Sequence, residues 1–177
     1  LLNIESVELT VASRTKSKAD VLVNGHARGT ALGLDVSDTD KLKSLVADHD
    51  LIISLLPYIY HVAVAKLCLE YGKHMATTSY ISPEMEALDT AAREAGLLFL
   101  NEIGVDPGID HMSAMKIIDG VHSKGGKIEA FYSFCGGLPA PEDNDNPFGY
   151  KFSWSPRGVL LASRNSARFL EDGEIVE

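Results

Sequence analysis

At 177 residues, 45% of them apolar, the chain is long enough for one full domain plus part of another and can bury a real core. Sixteen Lys and Arg against 25 Asp and Glu give a formal charge of -9, which argues against nucleic acid or an anionic membrane as the main partner. The longest apolar run, Leu51 to Leu56, is interrupted by Ser54 and ended by Pro57, far short of the ~20 residues of a membrane span. Cys68 and Cys135 form no CxxC pair, which excludes a disulfide framework or zinc knuckle and fits a reducing, cytoplasmic compartment.

The first residues, Leu1-Leu2-Asn3-Ile4-Glu5, lack an initiator Met and the charged-then-apolar order of a signal peptide, so the chain is expected to be cut at its start. Short apolar runs then alternate with longer amphipathic segments, the pattern of a parallel sheet covered by helices. Strands are predicted at 7–12, 28–34, 51–54, 74–77 and 97–100, with helices between them. Ser37 with Asp40 reads as a capping-box start for a helix carrying Leu42, Leu45 and Val46. Ser82-Pro83 supplies an N-cap and N1 proline for the next, whose Met85, Leu88, Ala92 and Ala95 form a core stripe and which Gly96 stops.

Gly104-Val105-Asp106-Pro107-Gly108 reads as a turn, with Asp106 capping a helix that carries Ile109, Met112, Met115 and Ile118. Gly125-Gly126 breaks that helix, and the alternation from Ile128 to Cys135 predicts a half-buried antiparallel strand. A boundary near Ser123 divides the chain into 1–122 and 123–177.

In an open parallel sheet, ligands bind where the carboxyl ends of the strands meet. The residues there are Ser13-Arg14-Thr15, Asp35-Val36, Leu55-Leu56-Pro57, Thr78-Ser79-Tyr80 and Val105-Asp106-Pro107, a polar set after apolar strands. An NAD-preferring fold usually carries a carboxylate at the end of its second strand; here Arg14 stands between two hydroxyls, fit to fork onto a 2′-phosphate and so to favour NADP. Arg14 and Lys16 read equally well as a solvated helix start. No GxGxxG turn occurs, and the first strand with its phosphate loop is expected upstream of Leu1.

Residues 147–168 carry Lys151, Arg157, Arg164 and Arg168 and no acid, and Ser155-Pro156 resembles a helix start, so a carboxylate-rich substrate or a plain basic surface suits this tract. No metal site is expected: HExxH is missing, His61 and His74 lack ligand spacing, and Glu142 to Asp145 lacks the Gly and distal Glu of a calcium loop. Cys135, at the end of its strand, reads either as a crevice residue or as a buried inert thiol.

The run Asn101 to His111, with Cys135-Gly136-Gly137-Leu138-Pro139-Ala140-Pro141 and Gly149-Tyr150-Lys151-Phe152-Ser153-Trp154-Ser155, closely resembles saccharopine dehydrogenases of the L-glutamate-forming type, and Ile53 to Tyr58 and Thr77 to Tyr80 fit as well. The resemblance implies an α/β protein: a Rossmann-like doubly wound parallel sheet lacking its first strand and Gly-rich turn, then the start of an α/β substrate domain. It implies NADP as cofactor, with Ser13, Arg14, Thr15, Asp35, Val36, Leu56, Thr78, Val105, Asp106, Pro107 and Ser155 lining its site.

Ser79, Tyr80 and Asp106 would contact substrate, and Asp106, Tyr80 and Cys135 are the implied catalytic groups. The implied reaction is NADPH-dependent reduction of the imine of L-glutamate and 2-aminoadipate 6-semialdehyde to saccharopine, in lysine biosynthesis. For Asp106 the helix-cap and acid/base roles stand side by side. A catalytically silent Rossmann-like module for nucleotide sensing or assembly is the rival reading, and another semialdehyde or polyamine dehydrogenase of the same fold is a second. The isolated fragment is expected to be inactive, and its oligomeric state, self-association included, stays open.

Overall fold

The computed structural model describes residues 1–153, 155–162, 164 and 166–177, and falls into two compact units, Leu1–Phe131 and Tyr132–Glu177. In the first unit five short strands alternate with helices: β1 (Leu9–Ser13), α1 (Lys16–Val23), β2 (Gly29–Gly33), α2 (Thr39–Ala47), β3 (Leu51–Ser54), α3 (His61–Tyr71), β4 (His74–Thr77), α4 (Pro83–Glu86), α5 (Asp89–Glu94), β5 (Phe99–Leu100) and α6 (Ile109–His122). All five predicted strands are present. Every pairing among them is parallel, which is why each strand is followed by a helical crossover before the next.

The ladders form two groups, β1-β2 and β3-β4-β5, so β1 and β3 are not hydrogen-bonded to each other. They are linked through a side chain: His49, just past α2, bonds the Leu45 carbonyl through Nδ1 at 2.7 Å and Thr10 Oγ1 of β1 through Nε2 at 2.8 Å. Leu42, Val46, Val64, Ala65, Cys68, Met75 and Met85 form the core beside β3 and β4, while Ala19 and Val23 of α1 are buried in the same unit.

Two caps differ from expectation. Asp38, not Ser37, caps α2, accepting from the Lys41 N–H at 3.2 Å. Ser37 stands one residue before the cap position, and its hydroxyl donates to Asp35 Oδ1 at 2.7 Å. Asp38→Ala is therefore expected to lower Tm by a few degrees and Ser37→Ala by less, measured by thermal unfolding of the full-length protein. Likewise Asp106 does not cap α6; Gly108 occupies the N-cap position. The first helical N–H groups are taken by the preceding turn, Ile109 N–H by the Gly104 carbonyl at 2.9 Å and Asp110 N–H by the Val105 carbonyl at 3.0 Å, so no side-chain cap is required.

Ser82 and Pro83 do start a helix as expected, with Ser82 Oγ accepting from Met85 N–H at 3.2 Å. The expected single helix is broken into α4 and α5; Met85 and Ala92 are buried, Leu88 packs on the core and Ala95 is exposed. Gly96, at φ +67°, ends α5 as expected. On α6 the apolar stripe exists but is not core: Ile109, Met112 and Met115 are exposed.

The strand expected at 128–135 is not formed; no described strand pairs with it, and its alternating side chains have no packed face to bury, Phe134 being 92% exposed. Within the second unit α7 (Pro156–Ala162) is followed by an antiparallel hairpin of β6 (Phe169–Glu171) and β7 (Glu174–Val176). Asp172 and Gly173 both take positive φ at its turn, a hairpin signal that the sequence carries openly. Among the described residues no helix is long and apolar enough to cross a membrane.

Candidate active site

The carboxyl ends of β1 and β2 lie side by side, because Ser13 pairs with Gly33 in the ladder. Ser13 Oγ accepts from the Thr15 N–H at 3.4 Å, which holds the Ser13-Arg14-Thr15 corner in shape ahead of α1. Arg14 makes no ion pair among the described residues, so its guanidinium retains its full donor set. Asp35, from the neighbouring strand end, accepts from the Ser37 N–H at 2.9 Å and the Ser37 hydroxyl, and these bonds, with the Arg14 charge as a smaller contribution, hold its carboxyl below the ordinary value. Val36 and Leu56 are half-buried against the core and form fixed apolar walls.

A second group gathers at the ends of β4 and β5. Ile103 N–H donates to the Thr77 carbonyl and Glu102 N–H to the Ser79 carbonyl, each at 3.1 Å, which carries the chain after β5 alongside Thr77-Thr78-Ser79. The following turn closes tightly: Gly104 N–H donates to the Pro107 carbonyl at 2.8 Å, Asp106-Pro107 is cis, and a Cβ on Gly108 would strike the Gly104 backbone and the Glu102 carbonyl. A Cβ on Gly104 would meet Thr78 Cβ at 3.3 Å, so Thr78 is seated directly on this turn.

The fold thereby brings Tyr80 and Asp106 together, the Tyr80 hydroxyl donating to Asp106 Oδ1 at 3.3 Å. Desolvation of the phenol first, then the Asp106 carboxylate and the charges of Asp110 and Glu102, push Tyr80 above its ordinary value, so near neutral pH it is a protonated donor. Asp110 faces inward to its own turn, accepting from the Gly108 N–H and the His111 ring, each at 2.8 Å; those bonds outweigh its desolvation and lower it. Beside Tyr80 opens a cleft of about 340 Å³, walled by Tyr58, Ile59, Val62 and Met85 with His61 and Asn101 among its polar groups.

His61 is the site residue that the spacing arguments passed over. It lies at the start of α3, is only 3% exposed, and bonds three hydroxyls, those of Ser54, Thr77 and Ser79. Burial lowers its pKa, so the ring is neutral. The signal was a histidine placed one short turn after Pro57, among strands that each end in a hydroxyl residue.

Two expected site residues fall in the second unit and are described within it. Cys135 is exposed, and Ser155 Oγ accepts from the Gly158 N–H at 3.1 Å, capping α7 with Pro156 as its first residue. Trp154 of the Gly149 to Ser155 run lies outside the described residues. The basic tract there is partly neutralised by ion pairs, Lys151 with Asp145 at 3.0 Å and Arg168 with Glu177 at 3.5 Å. Neither cysteine is in a disulfide, and burial pushes the Cys68 thiol up to about 11. A thiol reagent at neutral pH should thus label Cys135 quickly and Cys68 only on unfolding, read by intact-mass spectrometry.

The chain is similar to known proteins along nearly its whole length. The family description "Saccharopine dehydrogenase NADP binding domain" matches residues 1–100, and "Saccharopine dehydrogenase C-terminal domain" matches residues 104–177. Saccharopine dehydrogenase [NADP(+), L-glutamate-forming] of Schizosaccharomyces pombe is 58% identical over 96% of this chain, and that of Saccharomyces cerevisiae 50% identical over 97%. Each alignment spans 38% of the relative's length. Alpha-aminoadipic semialdehyde synthase of Arabidopsis thaliana is 45% identical over 96% of this chain and 16% of its own length.

A solved structure of apo saccharopine dehydrogenase (L-Glu forming) from Saccharomyces cerevisiae superposes with a TM-score of 0.80 at 49% identity, covering 99% of this chain and 39% of that one. The parallel α/β architecture is thus the Rossmann-like one expected of an NADP-binding domain. With matched domain descriptions over nearly its whole length and that structural likeness, the chain belongs to the saccharopine dehydrogenase family.

Proposed function

We propose that this chain supplies the 2′-phosphate-binding corner and the proton-handling pair of an L-glutamate-forming, NADP-dependent saccharopine dehydrogenase. The observation that carries the reading is the Tyr80–Asp106 hydrogen bond, a protonated phenol against a carboxylate where two parallel strands end. The Arg14 guanidinium, without an ion pair among the described residues and flanked in sequence by the Ser13 and Thr15 hydroxyls, fits a 2′-phosphate, with Asp35, Val36 and Leu56 beside it and Thr78, Val105, Asp106 and Pro107 framing the far end of the cofactor site. NADP, when bound, supplies the hydride acceptor.

In the oxidative direction the secondary amine of saccharopine must lose a proton as the adjacent carbon loses hydride. Asp106 takes the amine proton, and Tyr80 donates a hydrogen bond that keeps the carboxylate oriented. The resulting imine is then opened by water to L-glutamate and 2-aminoadipate 6-semialdehyde; reduction runs the same steps backward. Ser79, beside Tyr80, binds substrate. On family resemblance alone, Cys135 is a further proton-handling group and Ser155 a cofactor-lining residue. We place the passage from cofactor-binding to substrate-binding chain at 122/123, supported by the end of α6 at His122 and the Gly125-Gly126 break.

The unbridged thiols suit a reducing compartment such as the cytoplasm, and the partners proposed are saccharopine, L-glutamate and 2-aminoadipate 6-semialdehyde. The test is the synthetic direction: full-length protein given L-glutamate, the semialdehyde and NADPH should consume NADPH and form saccharopine. NADPH consumption that persists without glutamate would remove this assignment.

A further inference from the structure

We infer that His61 is a positioning residue for substrate, clamping the ends of β3 and β4 so that Ser79 and Tyr80 are held in place; this rests on the proposed saccharopine site. The imidazole is buried, and its Nδ1 lies 2.8 Å from Ser54 Oγ while its Nε2 lies 2.9 Å from Ser79 Oγ and 3.1 Å from Thr77 Oγ1. A neutral ring offers one N–H and one lone pair, and hydroxyls both donate and accept, so in either tautomer Nδ1 serves Ser54 while Nε2 shares its single proton or lone pair between Ser79 and, at the longer distance, Thr77. Ser54 and Thr77 are the last residues of neighbouring strands, and both are buried. A single side chain from α3 thus ties two strand ends together and reaches past them to Ser79.

Tyr80 needs such help because it is 65% exposed and its own hydrogen bond to Asp106 is long, 3.3 Å. What fixes it is its neighbours. Ser79 is held at its hydroxyl by His61 and at its carbonyl by the Glu102 N–H, and Ile81 N–H donates to Glu102 Oε1 at 3.1 Å. Glu102 itself sits at φ +61°, a left-handed backbone that aims both its N–H and its carboxylate at this segment. His61 on one side and Glu102 on the other therefore bracket Tyr80, the arrangement by which a supporting shell preorganises an exposed reactive group.

The experiment separates the two nitrogens. In the full-length enzyme, His61→Asn keeps a polar group near the Nδ1 position for Ser54 and loses the arm to Ser79, whereas His61→Gln keeps a group near Nε2. His61→Asn should lower kcat/KM for saccharopine by about 10-fold with KM for NADP unchanged, and His61→Gln by less than about 3-fold. Ser79→Ala cuts the same bond from the other end and also removes the substrate contact proposed for Ser79, so it should cost more than His61→Asn, and the double variant should lose no more than Ser79→Ala alone.

Crystal structures of the two His61 variants should show the Tyr80–Asp106 bond lost in the Asn form and kept in the Gln form. Equal losses in both variants, or additive losses with Ser79→Ala, would overturn the positioning role. If the wild-type enzyme does not oxidise saccharopine, the proposed activity falls, and the Tyr80–Asp106 distances still decide the role of His61.

Discussion

Replacing Arg14 with Ala in the full-length enzyme should raise KM for NADP by about 10–100-fold and leave KM for NAD within about 2-fold, since a forked guanidinium–phosphate contact is worth one to two decades of affinity. The selectivity follows from where the charge sits. Arg14 follows the last residue of β1, next to two hydroxyl side chains, and has no ion-pair partner among the described residues to compete with a phosphate. Asp35 approaches from the end of β2 and is bonded to Ser37; it feels the Arg14 charge but makes no ion pair with the guanidinium, which keeps its donors for a phosphate. Arg14→Lys should recover only part of the loss, because an ammonium keeps the charge but not the fork. Equal losses for NADP and NAD would place Arg14 outside the phosphate site.

Asp106→Asn should lower kcat by about 10²-fold, with Tm close to that of the parent. The two readouts separate cleanly because Asp106 is not a helix cap: α6 begins at Gly108, and its leading N–H groups bond to Gly104 and Val105 carbonyls. The Asn amide oxygen can still accept from Tyr80 but cannot take a proton. Tyr80→Phe should cost about 3–10-fold, since it deletes a donor whose raised pKa keeps it from acting as the base itself. A destabilised Asp106→Asn enzyme with full turnover per folded molecule would assign Asp106 a purely structural role.

The five strands were legible because each is a short, mainly apolar or β-branched stretch between helical segments, and Leu51 to Ser54 and His74 to Thr77 end where the pattern says they end. The strand-end rule then gathered Tyr80 and Asp106 from positions 26 residues apart in sequence. What could not be read locally was competition for the same hydrogen bond. Ser37 looks like a cap until Asp38, one residue on, takes the Lys41 N–H, and Asp106 looks like one until the turn's own carbonyls satisfy α6.

The alternation from Ile128 to Cys135 is real in the sequence, yet a strand is a paired object, and no described strand pairs there. His61 carries no local spacing signal, because its role depends on partners far away in the sequence. Its partners, Ser54, Thr77 and Ser79, meet only when β3 and β4 stand side by side.

The most direct measurement is product identity in the oxidative direction, because a secondary amine carries two C–N bonds and either can be opened. Full-length protein incubated with saccharopine and NADP should yield NADPH with equimolar L-glutamate and 2-aminoadipate 6-semialdehyde, and far less product with NAD at the same concentration. Formation of lysine and 2-oxoglutarate, or no saccharopine-dependent NADPH at all, would contradict the assignment.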